Sequence, residues 1–411
     1  MNLFKKFFSP YIGLPRDIYF LFLARVINSM GNFVFPLMTM LLTDKLKMSP
    51  KAAGEFISLA AASYIPGSIL GGKLADKYGR KSIFVFCQTI AGLFILACAF
   101  IDKTMIPWFV ILFGVLNGAA QPINSAMVTD LTNKENRKQT FSLIYLGINV
   151  GFAVGPLIAG FLYINYFNLI FIGNAVAIFL SVFFIWYFVR EPEIKHDELD
   201  EMERPKEGNT FKVLFERKEL LYFALISSIF AFSYAQVNFS TTIQLKDVYG
   251  ENAARFMSII NSINATVVIT FTTIIIHITR KNKAILNITI AGIFFAIGFG
   301  IQYFFVSFYP YILSTFIWTL GEILHATNSG VYIADHTPAS HRGRFNSLMS
   351  IVQGLGHGIS PLIMGRFIQK YGVRNVWPLI FILSSAASIF MYLLSKYDKK
   401  ENLGKKEGAA I

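Results

Sequence analysis

The chain has 411 residues, of which 54% are hydrophobic and only 15% are charged, and its formal net charge is +13. A soluble protein of this length has no need for so many apolar residues, and nucleic-acid binding would require a basic soluble domain that the sequence lacks. Such a composition is typical of membrane proteins, whose loops carry Lys and Arg next to anionic lipid headgroups.

Long apolar stretches recur along the whole chain. A helix needs roughly 20 predominantly apolar residues to cross the hydrocarbon core, and the first stretch is already long enough, so we expect no cleaved signal peptide. Twelve stretches meet this criterion: 18–43, 52–71, 82–101, 106–130, 139–164, 168–189, 220–245, 254–279, 284–307, 309–334, 345–369 and 376–395. The sequence therefore predicts an all-α membrane protein with twelve transmembrane helices, six in each half.

One pattern occurs twice, in residues 111–165 and again in residues 316–370. Its paired positions are separated by a constant interval: Asp130 with Asp335, Arg137 with Arg342, Ser142 with Ser347, Gly151 with Gly356, Pro156 with Pro361 and Gly160 with Gly365. Two homologous six-helix bundles, related by a pseudo-twofold axis along the membrane normal, are typical of transporters in which one half moves against the other.

This duplication predicts the domain organisation. We expect a bundle over 1–189, a linker over 190–219, a bundle over 220–395 and a tail over 396–411. The linker mixes acidic and basic residues and contains Pro, which is typical of a flexible tether. A monomer is sufficient, because one chain supplies both halves of the cavity.

Basic residues distinguish the two sides of the membrane. Most Lys and Arg residues lie in the loops on the side that also holds both termini. Because cytoplasmic loops retain Lys and Arg, both termini are predicted to be cytoplasmic. The predicted location is the cell membrane, taken to be a bacterial inner membrane, where lipids surround the helices.

The loop between the second and third predicted helices carries the most specific motif. It reads Gly71-Gly72-Lys73-Leu74-Ala75-Asp76-Lys77-Tyr78-Gly79-Arg80-Lys81-Ser82. This run resembles the Gly-x-Leu-Ala-Asp-x-x-Gly-Arg-Lys signature of the major facilitator superfamily. The resemblance extends over essentially the whole chain and implies the major facilitator fold.

Several residues of this loop are predicted to have structural roles that follow from their side chains. Gly72 would let its helix approach a neighbour closely, Gly79 would permit a tight turn, and Asp76 could accept from a helix N-terminus of the other half. The resemblance implies that Asp76 and Arg80 are gating residues and that basic residues such as Lys81 brace the loop. The alternative is that these residues only set the topology. The second half has no intact copy of the motif.

The fifth predicted helix has a small residue at almost every turn. These small residues and the neighbouring proline are the following: Gly147, Gly151, Gly155, Pro156 and Gly160. Such spacing lets helix backbones touch, and Pro156 bends the helix. The pattern resembles the antiporter signature of proton-driven drug exporters in the superfamily and favours export over import. Close helix packing alone is the alternative, because the second half keeps a similar arrangement.

Charged residues are rare within the predicted helices. A charge in the hydrocarbon costs roughly 2.5–3.5 kcal/mol on insertion scales, so Arg25 in the first helix and Glu322 in the tenth each need a reason. Glu322 is the predicted proton carrier, because an acid near the bilayer centre can be neutral in one state and charged in another. The run Thr319-Leu320-Gly321-Glu322 resembles the tenth helix of a proton-driven multidrug exporter subgroup, in which an equivalent glutamate is implicated in proton coupling.

Two other groups are predicted to accompany Glu322 in proton coupling. His325 lies one helical turn away on the same face, and Arg25 would supply a positive charge. A permanent ion pair between Arg25 and Glu322 is the structural alternative. Both His325 and His357 are also typical of hydrogen-bonded cavity walls.

The duplication places Asn117 at the position that matches Glu322, so both side chains are predicted to face the cavity. Polar residues repeat at helical spacing on the first, fourth and seventh helices, which line the central cavity in the superfamily. The predicted cavity residues are as follows: Asn28, Asn32, Asn117, Gln121, Asn124, Gln236, Ser240 and His357. Some of them are expected only to join helices by hydrogen bonds.

One departure from the resemblance concerns the fourth helix. Many drug–proton antiporters have a buried arginine three residues before a Gln-Gly pair, but here Asn117-Gly118 is preceded at that spacing by Gly114. The usual charged partner is missing. Arg25 is the candidate that could take over its electrostatic role.

These observations favour a proton-coupled secondary transporter that exports lipophilic or cationic drug-like compounds by alternating access, with a proton gradient in place of a cofactor. The alternatives are a proton-coupled importer of a small polar solute, a lipid or lysolipid exporter, and, outside transport, a membrane sensor or an embedded enzyme. The sequence has no catalytic or phosphate-binding motif and no cluster of metal ligands, so we expect neither an enzyme nor a metal site.

Overall fold

The computed structural model describes residues 11–133, 136–191, 218–304, 307–336 and 342–408. All regular structure in this part of the chain is helical, with no strand. Eight stretches of these residues are long and apolar enough to cross a membrane by length and composition. Large apolar side chains such as Phe86, Phe161 and Trp186 are more than half exposed, so the outer faces of the helices suit contact with lipid.

The helices follow the predicted order. In the first half they are the following: α1 (Arg16–Met30), α2 (Pro50–Tyr78), α3 (Arg80–Ala97), α4 (Ile106–Asp130), α5 (Arg137–Asn165) and α6 (Phe167–Phe188). In the second half they are the following: α7 in two segments (Lys218–Tyr234 and Ser240–Tyr249), α8 (Ala253–Thr279), α9 (Ala284–Gly300), α10 (Phe308–His336), α11 (Arg342–Tyr371) and α12 (Val376–Gly408).

Helices α1 and α7 are both interrupted, at nearly equivalent positions of the repeat. After Met30, α1 gives way to the 3₁₀ turn Phe35–Leu37 and then to short helical turns that end at Lys45. After Tyr234, α7 passes through the 3₁₀ turn Ala235–Val237 before its second segment. The duplication is therefore visible in the irregular backbone as well as in the regular helices.

The chain forms two compact units. Unit 1 comprises Met1–His196 and Leu245–Ile269, and unit 2 comprises Asp197–Gln244 and Thr270–Ile411. Unit 1 thus contains a segment, Leu245–Ile269, that belongs to the second half of the sequence. Most of the predicted linker lies outside the described residues.

The two units repeat the same helix pairs. In unit 1, α1 packs on α5 and α6, and α3 packs on α4 and α6. In unit 2, α7 packs on α11 and α12, and α9 packs on α10 and α12. These pairs are equivalent under the sequence repeat, so the packing agrees with the predicted duplication.

Two expectations about the family loop are corrected. The loop is helical as far as Tyr78, and only Gly79 leaves the helix, with a φ of +98° that favours glycine. The close approach expected at Gly72 is wrong, because a Cβ there would have nothing within 4 Å. Gly71 makes the approach, since its Cβ would lie 2.3 Å from the Cβ of Ala119 in α4. The helix turns Gly71 toward α4 and Gly72 away from it.

Candidate functional site

Glu322 lies half-buried in the middle of α10, within unit 2. The hydroxyl of Tyr234, at the end of the first segment of α7, donates a hydrogen bond to its Oε1 at 3.0 Å. This bond joins two of the helices that the superfamily places around its cavity. The predicted proton carrier is therefore held by a neighbour that can donate to its ionised form.

The two histidines near Glu322 lie in largely apolar surroundings. His325 packs its ring edge-on against Phe230, with centroids 5.7 Å apart, and its buried Nε2 has no hydrogen-bond partner among the described residues. The ring of His357 in α11 lies 6.4 Å from the ring of Tyr234. Both histidines thus lie in the same region of unit 2 as the Tyr234–Glu322 pair.

Arg25 in α1 reaches α4 within unit 1. Its Nη2 donates to Oε1 of Gln121 at 3.2 Å, while its buried Nε has no hydrogen-bond partner in the described part of the chain. Gln121 lies one helical turn beyond Asn117, the residue that matches Glu322 in the repeat. Arg25 therefore brings a positive charge to the face of α4 on which the missing arginine was expected.

The structure explains why α4 has no arginine of its own at this place. A Cβ on Gly114 would lie 2.3 Å from Oγ of Ser63 and 3.3 Å from the ring of Tyr64, both in α2. No long side chain fits between helices that are so close. Arg25 of α1 instead reaches α4 at Gln121.

Asn117 is tied to two neighbouring helices. Its side chain accepts from Gln88 of α3 at 3.2 Å and donates to the hydroxyl of Tyr64 in α2 at 3.3 Å. The half-buried Asn28, Asn32 and Asn124 lie on α1, just after it and on α4, respectively. As expected for part of the polar set, Asn117 joins helices by hydrogen bonds.

Gln236 and Ser240 do not line a cavity, which corrects the prediction for these two residues. Both are fully buried at 0% exposure within unit 2. Gln236 donates to Oγ of Ser360 and to the carbonyl oxygen of Phe232, and it accepts from Ser240 at 2.5 Å. A broken membrane helix must satisfy its freed backbone groups internally, and these side chains do so at the interruption of α7.

The charged residues of the family loop contact one another and the end of α4 within unit 1. Arg80 is largely buried, at 14% exposure, and forms an ion pair with Asp130 at the end of α4. Its other contact is with Asp76, at 3.8 Å, whose side chain is 68% exposed. Arg80 therefore connects the end of α2 to the end of α4, and Asp76 keeps most of its carboxylate accessible.

Glu191, just after α6, caps the N-terminus of α3. Its carboxylate accepts from the backbone nitrogens of Lys81, at 2.8 Å, and Ser82, at 3.1 Å. The preceding Arg190 forms a two-point contact with Asp17 at the start of α1. A carboxylate at a helix N-terminus is favourable because it meets free N–H groups and the positive end of the helix dipole.

The glycines of α5 lie against α1 and against the unit-1 part of α8. A Cβ on Gly151 would lie 2.5 Å from Cβ of Ser29, and one on Gly155 would lie 2.4 Å from the carbonyl oxygen of Met30. Gly147 faces the ring of Phe22, and a Cβ on Gly160 would meet Oγ of Ser258 at 2.2 Å. Pro156 lies inside the helix. The glycine pattern thus provides backbone contact between helices.

A second charged cluster in unit 1 surrounds Asp44 at the end of the α1 region. Nζ of Lys246 lies 2.6 Å from its carboxylate, Nζ of Lys47 lies 3.5 Å away, and the hydroxyl of Tyr163 donates to it at 3.2 Å. Lys246 belongs to the segment that unit 1 takes from the second half of the sequence. The Asp44 cluster therefore attaches that segment to α1.

The contribution of the Asp44 cluster to stability is testable. We expect Lys246→Gln to lower the free energy of unfolding by about 1–2 kcal/mol, because it leaves a largely buried carboxylate without its nearest cation. Lys47→Gln is the matched control, since the Lys47 side chain is 80% exposed. Thermal unfolding in detergent measures both, and equal losses in the two variants would contradict the assignment.

Some of these residues were not foreseen from the sequence. Tyr234, Tyr64, Gln88 and Glu191 each contact a predicted site residue from another helix or loop. Among the described residues, no group of three or more His, Cys, Asp and Glu side chains is placed to hold a metal ion.

Comparisons with known proteins define the class of this chain. The sequence profile of the Major Facilitator Superfamily matches residues 21–361. An uncharacterised MFS-type transporter of Bacillus subtilis (strain 168), YttB, is 25% identical over 92% of this chain and 96% of its own length. The multidrug resistance protein MdtH of Proteus mirabilis (strain HI4320) is 24% identical over 57% of this chain and 58% of its own length.

The fold has counterparts among solved structures. A bacterial homologue of the human lysosomal transporter Spinster superposes with a TM-score of 0.73 at 14% identity, covering 92% of this chain and 96% of that one. The chain belongs to the Major Facilitator Superfamily. It is accordingly a multi-pass membrane transporter with the twelve-helix major facilitator fold.

Proposed function

We propose that this protein exports lipophilic or cationic drug-like compounds in exchange for protons, by alternating access. The observation that carries the proposal is the carboxyl group of Glu322, half-buried in α10 and bonded to Tyr234. An acid in the hydrocarbon costs roughly 2.5–3.5 kcal/mol when charged, so an acidic residue at this depth indicates a functional role. In this proposal the role of Glu322 is to bind and release the transported proton.

The surroundings of Glu322 suit an apolar cation. The ring of Tyr234 packs edge-on against Trp318, with centroids 5.7 Å apart, and near Phe295, at 6.3 Å. Aromatic faces attract cations with apolar surroundings, and an ionised carboxylate adds a counter-charge. A cation and a proton would then compete for Glu322, which is the basis of exchange.

Arg25 provides a positive charge in the first half, opposite in sign to the carboxylate of Glu322 in the second half. Its bond to Gln121 places it on the α4 face that carries Asn117. In this proposal Arg25 assists proton coupling as the substitute for the usual arginine of α4, and the polar residues of α1 and α4 bind the substrate. The name of the relative MdtH, a multidrug resistance protein, is in keeping with this substrate class.

The proposal also includes an energy source, an orientation in the membrane and an oligomeric state. The proton gradient is the energy source, no cofactor is used, and the exposed apolar helix faces contact lipid. Both termini lie in the cytoplasm, the membrane is a bacterial inner membrane, and the monomer is the working unit. The competing transport functions are import of a small polar solute and export of a lipid or lysolipid.

A transport assay in proteoliposomes tests the proposal. Lipophilic cations, sugars and lysolipids are presented in turn under an imposed pH gradient, and both counterflow and gradient-driven efflux are measured. The proposal expects gradient-driven movement of the lipophilic cations. Movement of sugars or lysolipids alone would replace it with the corresponding alternative, and no movement of any compound would contradict it.

The gating motif gives a second prediction. We expect Asp76→Asn to change the populations of inward- and outward-facing states without removing substrate affinity, because the exposed carboxylate loses the charge with which it can accept from a helix N-terminus. Distances between spin labels on the two bundles measure these populations. Asp102→Asn, in the loop after α3, is the control. An unchanged distance distribution in Asp76→Asn would contradict the gating role.

A further inference from the structure

The interruption of α7 directly follows the residue that holds Glu322. The first segment of α7 ends at Tyr234, and the 3₁₀ turn Ala235–Val237 follows at once. The Tyr234 hydroxyl bonds to Glu322 of α10. The end of the helical segment is thus linked to a group that can change its charge.

The same end of the first α7 segment is also anchored to α11. The carbonyl oxygen of Phe232 accepts from Gln236 at 3.0 Å and from Oγ of Ser360 at 2.9 Å. These side chains satisfy a backbone carbonyl next to the interruption, and they are fully buried. Because these bonds are between neutral groups, the attachment to α11 does not depend on charge, whereas the attachment to α10 does.

The sequence repeat allows these contacts to be compared with those of the matching residues in the first half. Under the constant interval, Glu322 corresponds to Asn117 and Tyr234 corresponds to Ser29. Asn117 bonds to Tyr64 of α2 and Gln88 of α3. In the first half, then, the equivalent residue is tied to other helices by neutral bonds. Because the matching residues of the first half are a serine and an asparagine, they cannot form a tyrosine–carboxyl bond at this place.

From these contacts we propose that Tyr234 is a positioning residue through which the charge on Glu322 acts on the interruption of α7. The inference rests on the proposed proton-coupled function. A phenol donates a stronger hydrogen bond to a carboxylate than to a neutral acid. Ionised Glu322 therefore holds the end of the first α7 segment on α10, and protonation weakens that attachment.

The same bond makes Tyr234 stabilise the ionised form of Glu322. A hydrogen bond to the charged form favours it over the neutral form. Removing the hydroxyl must then make the acid bind its proton at a higher pH, and a stronger donor must do the opposite. Two histidines of the described residues lie close to the pair, His325 on α10 and His357 on α11.

Tryptophan fluorescence reports on this pair without any substrate. Trp318 is buried at 1% exposure, and its ring lies 5.7 Å from that of Tyr234. The purified full-length protein is titrated with acid in a Trp108→Phe, Trp186→Phe background, which removes two exposed indoles and leaves the buried Trp318 and Trp377. We expect one transition, and we expect Glu322→Gln to abolish it.

Variants at position 234 give opposite shifts. Tyr234→Phe keeps the ring packing and is expected to raise the midpoint by roughly one pH unit, a tenfold change in proton affinity. Fluorotyrosine at position 234 is a stronger donor and is expected to lower the midpoint. Tyr222→Phe, on the exposed side of the same helix, is the matched control with an unchanged midpoint. The pH profile of transport is expected to shift in the same directions.

The fluorescence titration and the transport assay test the role of Tyr234 and the proposed function separately. An unchanged midpoint in both Tyr234 variants overturns the inference, and so does a transition that persists in Glu322→Gln or disappears in His357→Gln or His325→Gln. A midpoint that shifts as expected, in a protein that moves none of the panel compounds, supports the role of Tyr234 and contradicts the proposed function. The two proposals therefore fail separately.

Discussion

Gradient-driven transport by Glu322→Gln should fall to the level of empty vesicles, while the protein remains folded and inserted. Glutamine has nearly the shape of protonated glutamate and can still accept the hydrogen bond of Tyr234, but it cannot release a proton. Net exchange of substrate against protons then stops. Counterflow, in which labelled and unlabelled substrate exchange without net proton movement, should continue at higher substrate concentration, because the cation loses the counter-charge of Glu322 but keeps the aromatic faces around it.

Proton flux and substrate flux measured together in proteoliposomes test this expectation. Asp102→Asn is a suitable control, because Asp102 lies in the loop after α3, where it caps the turn at Thr104. Normal substrate-dependent proton flux in Glu322→Gln would end the assignment of Glu322 as the proton carrier. Loss of counterflow together with loss of net transport would indicate substrate binding instead.

Gly67→Ala should destabilise the protein more than Gly71→Ala or Gly72→Ala in the same helix, α2. The added Cβ would lie 1.7 Å from the carbonyl oxygen of Val115, a backbone atom of α4 that cannot move alone. Forced overpacking costs up to about 3 kcal/mol, and more when the backbone itself must shift. Gly71→Ala should behave similarly but less severely, because it meets the methyl group of Ala119.

Gly72→Ala is the matched control for this prediction. It adds the same methyl group to the same helix, and nothing lies within 4 Å of the new atom. We expect it to be neutral or slightly stabilising, because alanine is the better helix former by about 1 kcal/mol. The midpoints of thermal unfolding in detergent compare the three variants. A Gly72→Ala loss as large as that of Gly67→Ala would show that the α2–α4 contact is not as close as described.

Much of the fold could be read from the sequence, because a bilayer imposes strict requirements on a chain. Each crossing needs about 20 apolar residues in a helix, so the crossings are recognisable one by one. The repeat between 111–165 and 316–370 then predicts which helices are equivalent, and the helix pairs of the two units agree. The turn at Gly79 was also predictable, since few other residues adopt a positive φ.

The contacts of the candidate site were less predictable. The sequence singles out Glu322 because a charge in an apolar helix is unusual, but it gives no indication that Tyr234 donates to it. In the same way, the polar pattern of the seventh helix suggested a cavity at Gln236 and Ser240, although both are enclosed and satisfy an interrupted backbone. A polar residue at helical spacing fits either role, and only its neighbours distinguish them.

By itself, the sequence determined the membrane class, the twelve-helix duplication, the superfamily and the buried acid, because these depend on local composition and on spacing along one chain. The tertiary structure decided that Gly71 rather than Gly72 touches α4, that α2 packs against Gly114 while Arg25 of α1 bonds to Gln121, and that Tyr234 holds Glu322. Those facts depend on which face each helix turns toward its neighbours, and a rotation of one residue, about 100° around a helix, changes every contact.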